Sequence, residues 1–439
     1  MMQYRGWAAS STLTRALLHF LVDGLCVCCL FQLATTMGKG SLLPVFIVYN
    51  ILAFLTQPLT GMLADRQQSL GVLLALAMAL LSVGVALATL SAAQLWTGFP
   101  TAFAVAAFLG FGNSLFHVWG GKAVAVNTGN DARSLGLFVS TGTMGLAMGV
   151  VFHDWLLLYV LLGALTILVA SELWRGEPRR DDSLRLAAMS PATTWTVVLL
   201  MMAFVLSRSF VGENFTGRLS DDGVTVLAIA AVAMLGKMGG GWLAHWIGAA
   251  RTLALFVAGV VFCLWAGASL PVLLLGLLMV NGTMAVTLCW TNAALHGSEG
   301  LAFGLLAAAL MPGYLLAHGN GVDLFFLLLM VIPTIVIELG VLWLLRERRT
   351  MVLWSSVVVN VLTNVPLNLL LNYVGVFWTT VAIGELAVLL AETLWYRYYV
   401  ERWRMAFAYS FLCNAISFLT GLLVQLLWLL FTLILQKSV

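Results

Sequence analysis

Asp23 and His19 stand four residues apart inside a long apolar run, so a carboxylate and an imidazole share one helix face. Such a pair can share or relay a proton; equally, it can be a structural hydrogen-bond pair to a neighbouring helix. Asn113 and His117 repeat the same spacing in Gly110-Phe111-Gly112-Asn113-Ser114-Leu115-Phe116-His117, where Gly110 and Gly112 keep the surroundings open. His117 reads as a proton site or substrate contact, or as a packing histidine. Asn281, central in a later apolar run, reads as a midplane substrate contact. Polar groups at bilayer depth are costly and face a bundle interior or a water-filled cavity. Asp23, His19, Asn113, His117 and Asn281 are therefore the candidate substrate and proton pathway.

A second set suggests gating. Gly61-Met62-Leu63-Ala64-Asp65-Arg66 ends an apolar run, with a glycine that lets a neighbouring helix approach and a charged pair able to latch another helix end. Gly236 to His245 echoes it with the glycines but without the Asp-Arg pair, so the two gates should not be symmetric. Lys237 and Glu338 are candidate partners at an inner gate. Lys122 reads as a solvated or lipid-headgroup charge, and Arg208 and Glu213 as interfacial. Near the C-terminus Asn360, Asn364, Asn368 and Asn372 recur every four residues, Glu385 and Glu392 share a face seven apart, and Asn414 with Ser417 marks a third helix. Amides in lipid need partners, so these faces are interhelical glue, or else a second polar pathway or lipid-headgroup site.

The elements that carry these residues are membrane helices. Hydrophobic residues make up 62% of the 439 and charged ones 9%, against roughly 25% charged in an average soluble domain, and the mean hydropathy is +1.02. A spanning helix needs about 20 apolar residues. Twelve candidates run over 13–35, 41–64, 70–91, 99–121, 134–152, 154–172, 193–211, 223–246, 251–269, 271–291, 300–318 and 322–345, and three more over 351–374, 376–396 and 405–434. The charged stretch Trp174 to Arg185 divides the twelve into six plus six, and Arg346-Glu347-Arg348-Arg349 sets off the last three. The expected fold is an all-α polytopic bundle: 1–172 a six-helix half, 173–192 a cytoplasmic linker, 193–349 a second half and 350–439 an extension. With the N-terminus inside, sixteen Lys and Arg fall in cytoplasmic segments against four outside, Lys237 being within a helix. That places an integral protein in the cell membrane with a cytoplasmic N-terminus. The final segment, at 405–434, is long enough to tilt or to break in two.

The motif at Gly61–Arg66 between the second and third helices, its echo between the eighth and ninth, and the 6 + 6 split resemble the major facilitator superfamily. Phe116-His117 after its glycines is similar to the Phe-His of the fosmidomycin-resistance type of efflux carrier, with Val118 where that type has proline. Gly136, Gly142, Gly145 and Gly149 resemble the glycine-rich fifth helix of proton-coupled antiporters, without its usual proline. The resemblance covers residues 1–349. It implies alternating access, an acidic coupling residue on the first helix, here Asp23, and efflux.

These readings converge on a secondary active transporter of a small organic or amphipathic molecule, with protons as coupling ion and membrane lipids around it. A non-transporting protein on the same scaffold (sensor, assembly partner or lipid-handling factor) is the alternative that the extension and the eroded hinge favour. No Gly-x-x-x-x-Gly-Lys-Ser/Thr motif points to a nucleotide, and the +3 net charge does not call for nucleic acid. The six cysteines lie in apolar runs without Cys-x-x-Cys or Cys/His spacing, so neither a metal nor a cofactor is expected. No nucleophile–base set converges at one membrane edge, so an enzyme is not expected.

Overall fold

Aspartates open several of the helices and glycines close them. Asp131, Asp154 and Asp222 each accept a hydrogen bond from a backbone N–H in the first turn that follows, satisfying donors that a helix start leaves bare. Gly176, Gly248 and Gly267 end helices at φ of 79°, 88° and 103°, a region that favours glycine. The computed structural model describes residues 2–37, 42–67, 69–176, 189–318, 324–374 and 378–437. The charged stretch from Glu177 to Arg185, Lys39, and the side chain of Asn372 lie outside the described residues.

In chain order the helices are α1 (Met2–Met37), α2 (Leu42–Asn50), α3 (Gln57–Arg66), α4 (Leu70–Ala92), α5 (Phe99–Asn127), α6 (Ala132–Val151) and α7 (Trp155–Arg175). Then come α8 (Pro191–Thr216), α9 (Gly223–Ile247), α10 (Ala249–Ala266), α11 (Leu270–Gly282), α12 (Met284–Ala294), α13 (Glu299–Ala308) and α14 (Leu310–His318). The last four are α15 (Leu324–Leu344), α16 (Thr350–Val374), α17 (Trp378–Tyr399) and α18 (Trp403–Lys437). Among the described residues fourteen helices are long and apolar enough to cross a membrane, with a shorter apolar helix at Val331–Leu344. The protein is an all-α polytopic membrane protein.

Several expected single helices are interrupted. The second span carries a π-helical turn, Ile51–Leu55, before α3 restarts at Gln57-Pro58. Pro58 has no N–H to continue the ladder, and Thr56 ties the turn to α5 by donating to Ser114 Oγ at 2.8 Å. A break between α13 and α14 falls at Ala309, three residues before Pro312, whose ring clashes with the carbonyl four residues back. The long C-terminal segment is one helix, α18.

The chain forms two compact units, Met1–Ala188 with Val197–Ala317, and Met189–Thr196 with His318–Val439. The twelfth expected helix, α15, thus groups with the three that follow, where the sequence placed a boundary after 349. In the first unit α6 packs along α1 on one side and α9 on the other. Its glycines explain this. A Cβ at Gly145 would overlap the Phe20 carbonyl of α1, and one at Gly149 the Gly24 carbonyl. Gly136 leaves the matching space against the Lys237 carbonyl of α9.

Arg15 and Arg208 depart from the charge count. Arg15 is buried, and its Nε lies 2.6 Å from Glu172 Oε1 while Nη1 donates to Ala123 O at 3.0 Å, tying α1 to α7 and α5. Arg208, expected at the interface, is buried within α8, and its Nη1 has no hydrogen-bond partner. Lys122, expected in solvent or headgroups, is buried too: its Nζ donates to Ala64 O and to Asp65 Oδ1, both at 2.9 Å.

Candidate functional site

His19 and Asp23 on α1 meet Asn113 and His117 on α5 in the interior of the first unit, all four buried. His19 Nε2 lies 3.1 Å from Asp23 Oδ2, and His117 Nε2 lies 3.4 Å from Asp23 Oδ1. The two Nε2 atoms are 2.7 Å apart, with the rings edge to face. Asn113 donates from Nδ2 to Asp23 Oδ1 at 3.1 Å, while its own Oδ1 is buried without a hydrogen-bond partner.

The backbone fixes the rings. His19 Nδ1 is 2.7 Å from the Phe138 carbonyl of α6, and His117 Nδ1 is 3.0 Å from the Asn113 carbonyl one turn back. A carbonyl oxygen only accepts, so each Nδ1 carries hydrogen. In a neutral ring the Nε2 is then a bare lone pair. Two bare lone pairs face each other and a carboxylate, an arrangement that one added positive charge turns from repulsive to cohesive. Phe138 stacks on His19 at 4.8 Å between centroids, and a Cβ at Gly142 would overlap both Asp23 Oδ2 and His19 Nε2. The fifth-helix glycine therefore serves the site itself as well as the helix packing.

Lys237 on α9 donates to Thr143 Oγ1 at 2.5 Å, next to Gly142. Glu338 on α15 accepts from Asn360 Nδ2 at 2.6 Å in the second unit. Each of these bonds lies inside its own unit. Asn281 on α11 donates to the Leu277 carbonyl at 2.9 Å and packs on Gly236; it is not a hydrogen-bond partner of the His19–Asp23–His117 cluster.

The Gly61–Arg66 stretch meets α13. There is no space for a Cβ between Gly61 and the Gly300 carbonyl. Asp65 accepts from Gly300 N at 2.9 Å and Leu301 N at 2.8 Å, while Ser298, the residue before α13, makes no side-chain cap. Asp65 thus caps another helix in trans, and its cation is Lys122; Arg66 is exposed. The echo repeats the backbone approach: Gly241 packs on the Ala132 carbonyl at the start of α6. That helix already has its own cap in Asp131, so an aspartate on α9 has no bare N-terminus to serve. Sequence reasoning missed Asn130, which donates to the Cys289 carbonyl at 2.8 Å and accepts from Asn292 at 2.9 Å. Its left-handed φ of 63° fits an Asn in a Thr-Gly-Asn-Asp turn, the one local signal it carried.

In the second unit the tail's polar faces meet one another and Glu338. Asn364 donates to Asn360 Oδ1 at 3.0 Å, and Thr363 donates to Glu392 Oε1 at 3.0 Å. Glu392 Oε2 accepts from Asn414 at 2.5 Å, and Tyr396 donates to Ser356 at 2.9 Å. Asn368 is exposed and bonds only the Asn364 carbonyl; Glu385 is half-buried and outside this network.

No protein-family model matches this sequence, and no curated protein matches it. Solved structures do. The Escherichia coli fucose:proton symporter FucP superposes with a TM-score of 0.56 at 13% identity, covering 83% of this chain and 98% of that one. A structure described as a major facilitator superfamily transporter, FucP, in the outward conformation gives 0.55 at 13%, covering 81% and 97%. The chain has the major facilitator fold. At the α1–α5 contact within that fold the buried polar groups are two imidazoles, a carboxylate and an amide.

The same groups also present atoms of the kind that ligate metals. His19, Asp23 and His117 offer three ligand atoms within 4.8 Å of one another. Spacing rules overlook them because the two histidines are 98 residues apart in the chain and only the packing of α1 on α5 joins them.

Proposed function

We propose that this protein is a secondary active transporter that moves a small solute across the membrane by alternating access, coupled to protons at His19, Asp23 and His117. The observation that carries the reading is the pair of Nε2 lone pairs facing each other and Asp23 in a buried site. Two lone pairs and a carboxylate that converge in this way can hold one positive charge among them, which is what a coupling site requires. The fold supports transport, and the neighbouring FucP is itself described as a fucose:proton symporter. Gly61, Asp65 and Arg66, with Lys122, form the gate on the side where the arginines gather, which the charge bias makes cytoplasmic. Lys237 belongs to the same mechanism through Thr143. Its proposed place is the cell membrane, with the N-terminus inside. An organic or amphipathic cargo and efflux follow from the family resemblance.

The test is proton movement in proteoliposomes loaded with a pH-sensitive dye. Under an imposed pH gradient and a panel of solutes, the wild-type chain dissipates the gradient with its cargo. Asp23→Asn and His117→Gln stop this while folding normally. Variants that melt earlier yet still couple protons to solute would remove the cluster from the mechanism.

A further inference from the structure

The ligand atoms of the cluster are those of a metal site as much as of a proton site. Two neutral imidazoles present Nε2, a carboxylate presents both oxygens, and both Nδ1–H groups are held by backbone carbonyls. Metal-ligating histidines are oriented in this way, with the second ring nitrogen donating to a carbonyl or carboxylate. Asn113, whose Nδ2 donates to Asp23 Oδ1, keeps its own Oδ1 buried and unpartnered.

We propose that His19, Asp23 and His117 bind a divalent first-row transition metal of the Zn²⁺ type, and that this ion is the cargo. The proposal rests on the transporter reading above. Two histidines and one carboxylate form a set that suits such ions and leaves positions open for water. Mg²⁺ and Ca²⁺ prefer shells of six or more oxygens, which this site lacks. The two Nε2 atoms, 2.7 Å apart, need to open to about 3.4 Å for tetrahedral metal–nitrogen bonds of about 2.1 Å.

The titratable and charged groups around the cluster are few. On α1, Cys26 lies 3.9 Å from Asn113 Nδ2, and Tyr49 on α2 hydrogen-bonds Cys26. On α6 the facing groups are the Phe138 carbonyl and Gly142. Lys237 of α9 stands one residue beyond, on Thr143.

The experiment uses the purified full-length chain in detergent with Zn²⁺ and Co²⁺, and Mg²⁺ and Ca²⁺ as controls. Titration calorimetry is expected to give one saturable Zn²⁺ per chain. Co²⁺ should give a visible absorption band that Zn²⁺ displaces. His19→Gln, His117→Gln and Asp23→Asn should each weaken Zn²⁺ at least tenfold, while Mg²⁺ and Ca²⁺ do not compete. If Asp23→Asn does not fold, Asp23→Glu is read instead. It keeps the charge and lengthens the ligand, so a shifted Co²⁺ band is expected. Absence of saturable Zn²⁺ binding, binding unchanged in His117→Gln, or an unshifted Co²⁺ band in Asp23→Glu overturns the metal proposal. Solute-driven proton flux that needs Asp23 in Zn²⁺-free liposomes would leave the proton reading standing alone; loss of both would remove both.

Discussion

Asp65 Oδ1 accepts a hydrogen bond from the Gly300 N–H at 2.9 Å, although 235 residues separate the two in the chain. The same carboxylate takes the Leu301 N–H and the Lys122 ammonium. A helix N-terminus, a carboxylate and a lysine thus form one junction between the halves of the first unit.

Removing Asp65 leaves α13 uncapped and Lys122 buried without its anion. A lost cap costs about 1 kcal/mol, and breaking a buried pair by deleting one partner about 3–5 kcal/mol. Asp65→Ala is therefore expected to destabilise the protein by about 3 kcal/mol or more in detergent thermal unfolding. Adding Lys122→Met to Asp65→Ala should recover part of that, because the stranded charge is gone. An Asp65→Ala protein that melts with the wild type would exclude this junction as a strong contact.

The glycines of the second hinge divide sharply. Gly240 packs on the Gly282 carbonyl and Gly241 on the Ala132 carbonyl, whereas Gly239 has open space where a Cβ would go. Gly239→Ala is expected to be neutral or to stabilise α9 by up to about 1 kcal/mol, since alanine is the better helix residue. Gly240→Ala and Gly241→Ala must push helices apart and should cost about 1–3 kcal/mol. The same contrast applies on α6, where Gly142→Ala should disturb Asp23 and His19 and reduce proton coupling even in a folded protein. Melting curves for the three α9 variants, measured side by side, check the order.

The spans are legible in the sequence because composition and length set them, and the caps at Asp131, Asp154 and Asp222 fix several starts. The i, i+4 pairs His19/Asp23 and Asn113/His117 are legible as faces. Their meeting is not, since it depends on α6 glycines drawing α1 close and on α5 crossing both. Lys122 misleads for a general reason: a lysine just after two glycines looks like a loop charge, but α5 continues to Asn127 and carries it inside. Asp65 is legible as a latch, though its anchor is a backbone terminus plus Lys122. No local rule assigns α15 to the unit that holds the tail; that follows from its packing along α16 and α18.

The asparagine row on α16 should behave unequally. Asn360 is fully buried and bonds Glu338, while Asn368 is exposed and bonds only its own helix. Asn360→Ala strips a donor from a buried carboxylate and should cost about 1–3 kcal/mol. Asn368→Ala should stay within about 0.5 kcal/mol, as surface changes do. Equal losses at both positions would mean that the row acts as a continuous polar track, not as local glue.

Glu347 gives the second unit an acid-sensitive joint. It sits between α15 and α16, and its carboxylate accepts from the Arg348 and Arg349 backbone N–H groups, the Arg349 guanidinium and the Tyr409 hydroxyl. Burial pushes its pKa up, but the bonds from Arg349 and Tyr409 outweigh that and hold it at about 2, below its ordinary 4.5. A carboxyl with a depressed folded value contributes stability above its unfolded value and loses it as pH falls toward the folded one. The second unit is thus expected to keep full stability above about pH 5 and to weaken between about 4.5 and 2. Each tenfold gain in acidity corresponds to about 1.4 kcal/mol, which bounds the contribution at about 3 kcal/mol at neutral pH, and solvent screening of the half-exposed Arg349 lowers it below that bound. Glu347→Gln should lower the melting temperature at pH 7 and approach the wild type near pH 3, where the wild-type joint has lost most of its advantage. Other carboxylates titrate in the same window, Asp222 among them with its value lowered by Ser220 and Thr225, so the decisive quantity is the difference between wild type and variant across pH. A difference that stays constant from pH 7 to pH 3 would show that the carboxylate's charge has no part in the joint.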